Sequence, residues 1–236
     1  AMLEPSPSHH GTRAIDLGCG TGELTAELHR YLNAEKTLGI DTSAQMLEKA
    51  QAFAGQGLEF KQGDLSRWRE PSAYDVIFSN AAIQWSNDHA QIFKNLRDSL
   101  RNKGQLAIQM PMNHDYATHV LAREMAGESK WLEKTNGESY DKQSAMLSVD
   151  QYATLLYKLG FTEQKVDLRV YGHVLDTREG VIEWVKGSLL TYFETRMSPD
   201  DFASFLIEYR ERLFKILPDE QPFFYPFKRI LLWARA

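Results

Sequence analysis

Cysteine is almost absent from this chain of 236 residues. Cys19 stands alone, so no internal disulfide can form, and a reducing, cytoplasmic setting is expected. Long apolar runs are missing too. The longest are strand-length, well short of the roughly 18 residues that a membrane span needs, so no membrane partner is expected. No segment shows the basic start, apolar middle and small-residue cleavage site of a secretory signal. A concentrated basic face is lacking as well: 27 Lys+Arg stand against 32 Asp+Glu, for a formal net charge of −5. Binding nucleic acid through its phosphates needs clustered positive charge, so no nucleic-acid partner is expected. Repeats and low-complexity tracts do not occur, apart from the lead-in Pro5-Ser-Pro-Ser-His-His10, read as flexible.

The composition is that of an ordinary globular protein, 43% hydrophobic and 25% charged, and the length suffices for one sizeable core. Short apolar runs alternate with longer periodic segments. Ala14–Leu17, Thr37–Ile40, Leu58–Gln62, Tyr74–Ser79 and Gln105–Met110 read as strands. Leu24, Leu28 and Leu32 fall at helical spacing, Ser43 is placed to cap a second helix, and Ala90–Leu100 supplies a third. Strand and helix alternating at this pitch indicate right-handed βαβ units and a parallel sheet. Beyond Pro111 the pattern changes: helices are expected over about 115–131, 150–159, 178–194 and 200–217, with strands over Gln164–Leu175 and Arg229–Ala234. The expected fold is therefore α/β, a doubly wound, mostly parallel seven-stranded sheet with a helical lid.

The sharpest chemical signal is Asp16-Leu-Gly18-Cys19-Gly20-Thr-Gly22, set between a strand and a helix. Gly18 and Gly20 allow backbone angles and close approaches that a Cβ would block. The helix that follows offers unpaired N–H groups and a partial positive charge to a carboxylate or a phosphate. Asp41 closes the second strand, where an acid can accept both hydroxyls of a ribose. The G-x-G-x-G spacing is tighter than the dinucleotide pattern and leaves room for one nucleoside with an amino-acid tail, such as S-adenosylmethionine. Asp64 closes the third strand, placed to accept from an adenine amino group, and Asn80 closes the fourth beside the glycine loop. Thr42, Leu65 and Ala81 flank these acids and complete the expected cofactor set. Simpler readings stand beside these: Asp41 as a helix cap, Asp64 as a solvated loop acid, Cys19 as a small turn filler. Met46 can pack on adenine or in the core. No metal site is expected.

This constellation resembles the class I S-adenosylmethionine-dependent methyltransferases. A narrower resemblance runs from about Ala14 onward, to the trans-aconitate methyltransferases. It rests on Tyr74-Asp-Val-Ile-Phe-Ser-Asn80-Ala-Ala-Ile-Gln84-Trp85, Gln109-Met-Pro-Met-Asn113, Thr118-His119-Val-Leu-Ala-Arg123-Glu124, Glu183-Trp184-Val185 and Phe227-Lys-Arg229-Ile-Leu-Leu-Trp-Ala-Arg235. The Asn80-to-Trp85 stretch is shared with enzymes that methylate malonyl on a carrier protein; the later pieces favour the trans-aconitate group. The resemblance implies esterification of one carboxylate of a small polycarboxylic acid, and an N-terminal helix closing over the cofactor, for which only a dozen residues precede the first strand. On this reading 12–112 forms the cofactor core, 113–149 and 177–218 the lid, and 150–176 with 219–236 the rest of the sheet, one domain overall.

A carboxylate is already ionised at neutral pH, so its methylation needs no general base, and no catalytic residue is assigned beyond proximity and desolvation. Trp85, Tyr152, Trp184 and Tyr192 are expected to wall the acceptor. His119, Arg123 and Arg229 are the expected cations for its non-reacting carboxylates, though each of these has a purely structural alternative. Rivals fare worse. The Asn80-Ala-Ala-Ile83 stretch lacks the Pro-Pro-aromatic turn of a base methylase, no second acid pair accompanies Asp64 for a metal-dependent catechol enzyme, and no Tyr-x-x-x-Lys pair serves a dehydrogenase. A non-catalytic S-adenosylmethionine-binding module remains the alternative from another class. Oligomeric state is not legible.

Overall fold

The computed structural model describes residues 11–138, 140 and 146–236; the Pro5–His10 lead-in and the place of an N-terminal covering helix lie outside the described residues. In chain order the elements are β1 (Arg13–Leu17), α1 (Glu23–Leu32), β2 (Lys36–Asp41), α2 (Ala44–Ala50), β3 (Leu58–Gln62), β4 (Tyr74–Asn80), α3 (His89–Ser99), β5 (Leu100–Pro111), α4 (Ala117–Gly127), α5 (Ser129–Leu132), α6 (Val149–Lys158), β6 (Glu163–Leu175), α7 (Glu179–Lys186), α8 (Thr191–Glu194), α9 (Pro199–Leu213) and β7 (Phe223–Arg235). Parallel strands covered on both faces read as unbroken apolar runs, which is why Ile15, Leu17, Ile40, Val76 and Ile77 are almost wholly buried. The helices sit where capping chemistry starts them: Ser43 accepts from Met46 N–H, and Ser198 from Asp201 N–H with Pro199 at the first turn.

The seven strands form one sheet in the order β3-β2-β1-β4-β5-β7-β6. Pairing is parallel from β3 through β5, with Ile15 opposite both Leu38 and Ile77, and antiparallel between β5 and β7. The strand order reverses at β1, which lies between β2 and β4, so the carboxyl ends of these strands frame the crevice where doubly wound sheets bind ligands. Among the described residues no helix is long and apolar enough to cross a membrane.

Several elements depart from their expected limits. The segment 115–131 breaks into α4 and α5 because Glu128 is extended (φ −73°, ψ 135°), its carboxylate gripped by Arg212. The segment 178–194 breaks after Lys186, at the C-cap Gly187. The final strand starts at Phe223, earlier than expected, and takes in Pro226.

Two compact units emerge. The first holds the described residues of Ala1–Pro111, Ser144–Arg169 and Arg229–Ala236; the second those of Met112–Gln143 and Val170–Lys228. In the second, Leu121, Met125, Trp131, Val185, Phe193, Phe205 and Tyr209 build a buried cluster. Its centre is aromatic: Phe193 stacks on Phe205 at 4.4 Å between ring centres, and Trp131 meets Phe205 edge-on at 5.1 Å. The Tyr209 hydroxyl donates to the Thr118 carbonyl at 3.0 Å, which satisfies a buried polar tip at the middle of this packing.

In the first unit the structure corrects one assignment. Tyr152, expected in the acceptor wall, is fully buried in the core, its ring 5.6 Å from Phe93. Its hydroxyl lies 2.6 Å from His89 Nδ1. His89 Nε2 faces two carbonyl oxygens, Ile83 at 3.1 Å and Ser86 at 3.2 Å, so Nε2 carries the ring proton and Nδ1 accepts from Tyr152. Burial lowers the His89 pKa and keeps this imidazole neutral. A helix-spaced tyrosine satisfied by a buried histidine is a structural part. Tyr152→Phe leaves the His89 acceptor unpaired and is expected to cost about 1–3 kcal/mol in urea unfolding, with acceptor KM unchanged; a raised KM at unchanged stability would return Tyr152 to the acceptor wall.

Candidate active site

The glycine loop leaves β1 and is pinned before α1 begins. Gly18 N–H and Cys19 N–H both donate to the Ile40 carbonyl, at 2.8 and 2.9 Å. Gly18, Gly20 and Gly22 take left-handed backbone angles (φ 77°, 54° and 84°), which only glycine adopts freely. Two of them also stand where no side chain fits: a Cβ on Gly18 would meet Ala82 Cβ at 2.2 Å, and one on Gly22 would meet Ala50 and Phe60 at 2.8 and 2.9 Å. Gly20 differs. A Cβ there would meet nothing within 4 Å and would project into open space, so this glycine leaves a cradle.

That cradle belongs to a recess of about 200 Å³ lined by Asp16, Gly18, Cys19, Gly20, Thr21, Glu23, Leu24 and Asn80. Asn80 is held in place by its neighbour: Ser79 donates its hydroxyl to the Leu17 carbonyl at 2.7 Å, across the switch point. Asp41 joins from β2. Its Oδ2 accepts from Gly20 N–H and its Oδ1 from Ser43 N–H, each at 2.9 Å, which leaves each oxygen a further lone pair. Leu65 reaches the loop as well, its Cδ2 3.8 Å from where a Gly18 side chain would begin.

The electrostatics of the recess centre on Asp16. It is only 2% exposed, its Oδ2 accepts from the Thr25 hydroxyl at 2.6 Å, and its Oδ1 is buried without a partner. Burial pushes its pKa up to about 7; the Thr25 hydrogen bond opposes the shift and the Asp41 carboxylate adds to it. A buried acceptor without a donor is destabilising, and a cationic or hydrogen-bond-donating ligand group relieves it. Burial, helped by Asp16 and Asp41, likewise pushes the Cys19 thiol up to about 12, so Cys19 fills the turn as a neutral side chain.

The remaining cofactor expectations lie at the rim. Met46 is 42% exposed, which removes the core-methionine reading and leaves its side chain accessible. Thr42 is exposed, its carbonyl accepting from Gln62 Nε2 at 2.9 Å. Ala81 adopts φ 55° and donates its N–H to the Gln109 carbonyl at 2.8 Å. Asp64 is exposed, and its Oδ1 accepts from Ser66 N–H and hydroxyl at 2.9 and 2.6 Å; these bonds hold its pKa below the usual carboxylate value. Thr21, Glu23 and Leu24 escaped the sequence reading. Their signal was position alone, the residues between the loop and the first helical turn.

Of the expected acceptor residues, Trp85 and Arg229 belong to the first unit and His119, Arg123 and Trp184 to the second. Trp85 ends a 3₁₀ turn, 45% exposed. Arg229 donates to Gln109 Oε1 at 2.7 Å. Trp184 packs beside the second unit's core, its ring 4.4 Å from His173 and 5.5 Å from Phe227. Tyr192 packs 5.0 Å from Tyr140, with the Arg196 guanidinium 4.1 Å over its ring. His119 requires a correction. Burial first, then the neighbouring His114 and Arg123 charges, lower its pKa to about 4, so at neutral pH it is an uncharged imidazole beside the Thr118 hydroxyl at 2.9 Å and not a cation. Arg123 is half-buried, its guanidinium 3.4 Å from the His114 carbonyl. Lys130, Lys134, Arg178, Lys186, Arg196, Arg210, Arg212 and Lys228 all face carboxylates. Arg123 faces none among the described residues.

Comparison with known proteins agrees with this geometry. A family model described as a methyltransferase domain matches residues 14–104, the span from β1 to the start of β5 that carries the whole recess. The chain is 38% identical over 230 residues to the trans-aconitate 2-methyltransferase of Deinococcus radiodurans, covering 97% of this chain and 88% of that one. It is 33% identical to the Rhizobium etli enzyme of the same name, over 92% and 84%. Among solved structures, the YcgJ protein of Bacillus subtilis shares the fold, with a TM-score of 0.61 at 14% identity over 96% of this chain and 92% of that one. Identity at this level across nearly the full length takes in the glycine loop and the second unit together, and the chain belongs to the trans-aconitate 2-methyltransferase family.

Proposed function

We propose that the protein binds S-adenosylmethionine in the glycine-loop recess and methylates one carboxylate of trans-aconitate. The observation that carries the cofactor half is the orphaned Asp16 Oδ1, a buried acceptor at the wall of a recess whose floor is Gly20. An α-ammonium group supplies the donor that it lacks, and the exposed end of α1 supplies N–H groups for a carboxylate. Asp41 keeps lone pairs for ribose hydroxyls, Asp64 its second oxygen for an adenine amino group, and Met46 and Leu65 apolar surface for the ring. Thr42, Asn80 and Ala81 complete the rim. Bound S-adenosylmethionine supplies the methyl group from its sulfonium.

The acceptor oxygen attacks the methyl carbon, an O–CH₃ bond forms as the S–CH₃ bond breaks, and no proton moves. The protein's part is to orient the acceptor and exclude water. A positive charge near the reacting carboxylate would hold it in the ground state, because charge is neutralised along the reaction path; positive charge belongs at the carboxylates that do not react. Arg123, a cation without a carboxylate partner among the described residues, is proposed for one of them. Arg229, Trp85 and Trp184 are proposed acceptor contacts, and His119, being neutral, a hydrogen-bonding one. The segments 113–149 and 177–218 are proposed as the acceptor-binding part of the chain.

The direct test is a product assay with S-adenosylmethionine and a panel of di- and tricarboxylates: a monomethyl ester of trans-aconitate is expected, and cofactor binding without turnover of any carboxylate would overturn the reading. Arg123→Ala is expected to raise acceptor KM by roughly 10- to 100-fold, the worth of one charged hydrogen-bonded contact, with the cofactor Kd unchanged; equal weakening of both would remove its role. The pH dependence follows from Asp16. Its folded pKa lies above the usual value for an aspartate, so the folded protein binds a proton more tightly than the unfolded chain, and this group's contribution to stability falls as pH rises from about 4 to about 7. A cationic ligand favours the ionised form. Cofactor binding therefore releases a proton and tightens as pH rises toward 7, by roughly tenfold per unit while Asp16 is mostly protonated. Calorimetry should show this slope in the native protein and a flat profile in Asp16→Asn.

A further inference from the structure

At one end of the sheet lies β3, five residues long; at the other lies β6, with thirteen. An edge strand presents unpaired N–H and C=O groups along its outer side, and a long edge with apolar side chains is a template for another strand. The part of β6 in the first unit reads Glu163-Gln-Lys165-Val-Asp167-Leu-Arg169. Its charged residues alternate in sign on one face, and all four are exposed. Val166 and Leu168 lie on the other face, with Leu168 45% exposed. Within the chain Asp167 and Arg169 are 3.7 Å apart, Glu163 lies 3.1 Å from Arg235 Nε, and Lys165 Nζ stands 5.6 Å over the Trp233 ring.

The charge order is self-complementary when read against its own reverse. A two-fold axis normal to the sheet through Val166 places Lys165 opposite Asp167 of a second copy, and Glu163 opposite Arg169. By symmetry each pair occurs twice. The same axis puts Val166 against Val166 and Leu168 against the aliphatic part of Gln164. Sliding by two residues in one direction opposes Asp167 to Asp167 and Lys165 to Arg169; in the other, Lys165 to Lys165 and Glu163 to Asp167. Both neighbouring registers are thus repelled. Like charges directly opposite are destabilising and unlike ones stabilising, so this strand specifies one register of pairing with itself.

We propose that β6 is a homodimer interface, pairing antiparallel with β6 of a second copy of this chain about Val166 to join the two sheets into one. The backbone ladder supplies the association and the charges its register and orientation, since exposed ion pairs contribute little affinity by themselves. Dimerisation is expected to weaken as salt rises. The test is sedimentation equilibrium on the native protein and two variants, each checked by circular dichroism for the native fold. The native protein should show a monomer–dimer equilibrium. Asp167→Lys turns both Lys165–Asp167 contacts repulsive and should raise the dimer dissociation constant at least about tenfold. The double variant Lys165→Asp/Asp167→Lys restores both contacts with the signs exchanged and should return to the native value. A native protein that is monomeric throughout, a dimer indifferent to Asp167→Lys, or a double variant as weak as the single would each overturn the proposal.

Discussion

One carbonyl oxygen holds the site together. Ile40 O receives two consecutive amide protons, from Gly18 and Cys19, and this forked contact fixes the glycine loop to the end of the neighbouring strand. Everything around it follows from the turn so imposed. The backbone must pass through left-handed angles three times in five residues, and at Gly18 and Gly22 it presses against Ala82, Ala50 and Phe60 with no room for a β-carbon. The loop can close only if all three packing partners are in place, so β2, α2, β3 and the turn after β4 are positioned by the same constraint. Gly20 is the position that packing leaves free, and it opens to the recess.

The first unit concentrates negative charge where it is hardest to keep. Burial, with the Asp41 carboxylate adding to it, pushes the Asp16 pKa up to about 7. The second unit has the converse: half-buried Arg123, which among the described residues faces a carbonyl oxygen and no carboxylate. Each is unfavourable in the bare protein. A ligand with an ammonium group resolves the first, and a ligand with a carboxylate the second. The two imbalances are of opposite sign and lie in different units, which is the arrangement expected of a protein that binds a cationic donor and an anionic acceptor.

Much of this was legible from the sequence because its physics is local. The glycine spacing, the acids closing β2 and β3, and the apolar strand runs depend on neighbours within a few residues, and β1 to β4 emerged near their expected limits. What escaped was set by distant partners. Tyr152 reads as an amphipathic aromatic; only its meeting with His89, 63 positions away, makes it a core residue. His119 reads as a cation because its ordinary pKa permits it, and only burial beside His114 and Arg123 makes it neutral. The break at Glu128 goes with a carboxylate held by Arg212, 84 positions away, against helical periodicity, and β7 runs on through Pro226.

The neutrality of Cys19 and His119 is itself mechanistically coherent. A hydroxyl or amine acceptor must lose a proton, and an enzyme for it needs a base poised near neutral pH. Two groups of the described residues that could have played that part are driven away from it, the Cys19 thiol upward and the His119 imidazole downward, both chiefly by burial. Asp16, with a pKa raised to about 7, lines the glycine-loop recess with its Oδ2 bonded to the Thr25 hydroxyl. A carboxylate acceptor asks for none of these protons. It asks for a dry setting in which a carboxylate and a sulfonium lose their charges together, because water stabilises the separated charges more than the merged transition state. Burial that holds an imidazole neutral and burial that favours charge recombination both follow from the removal of water.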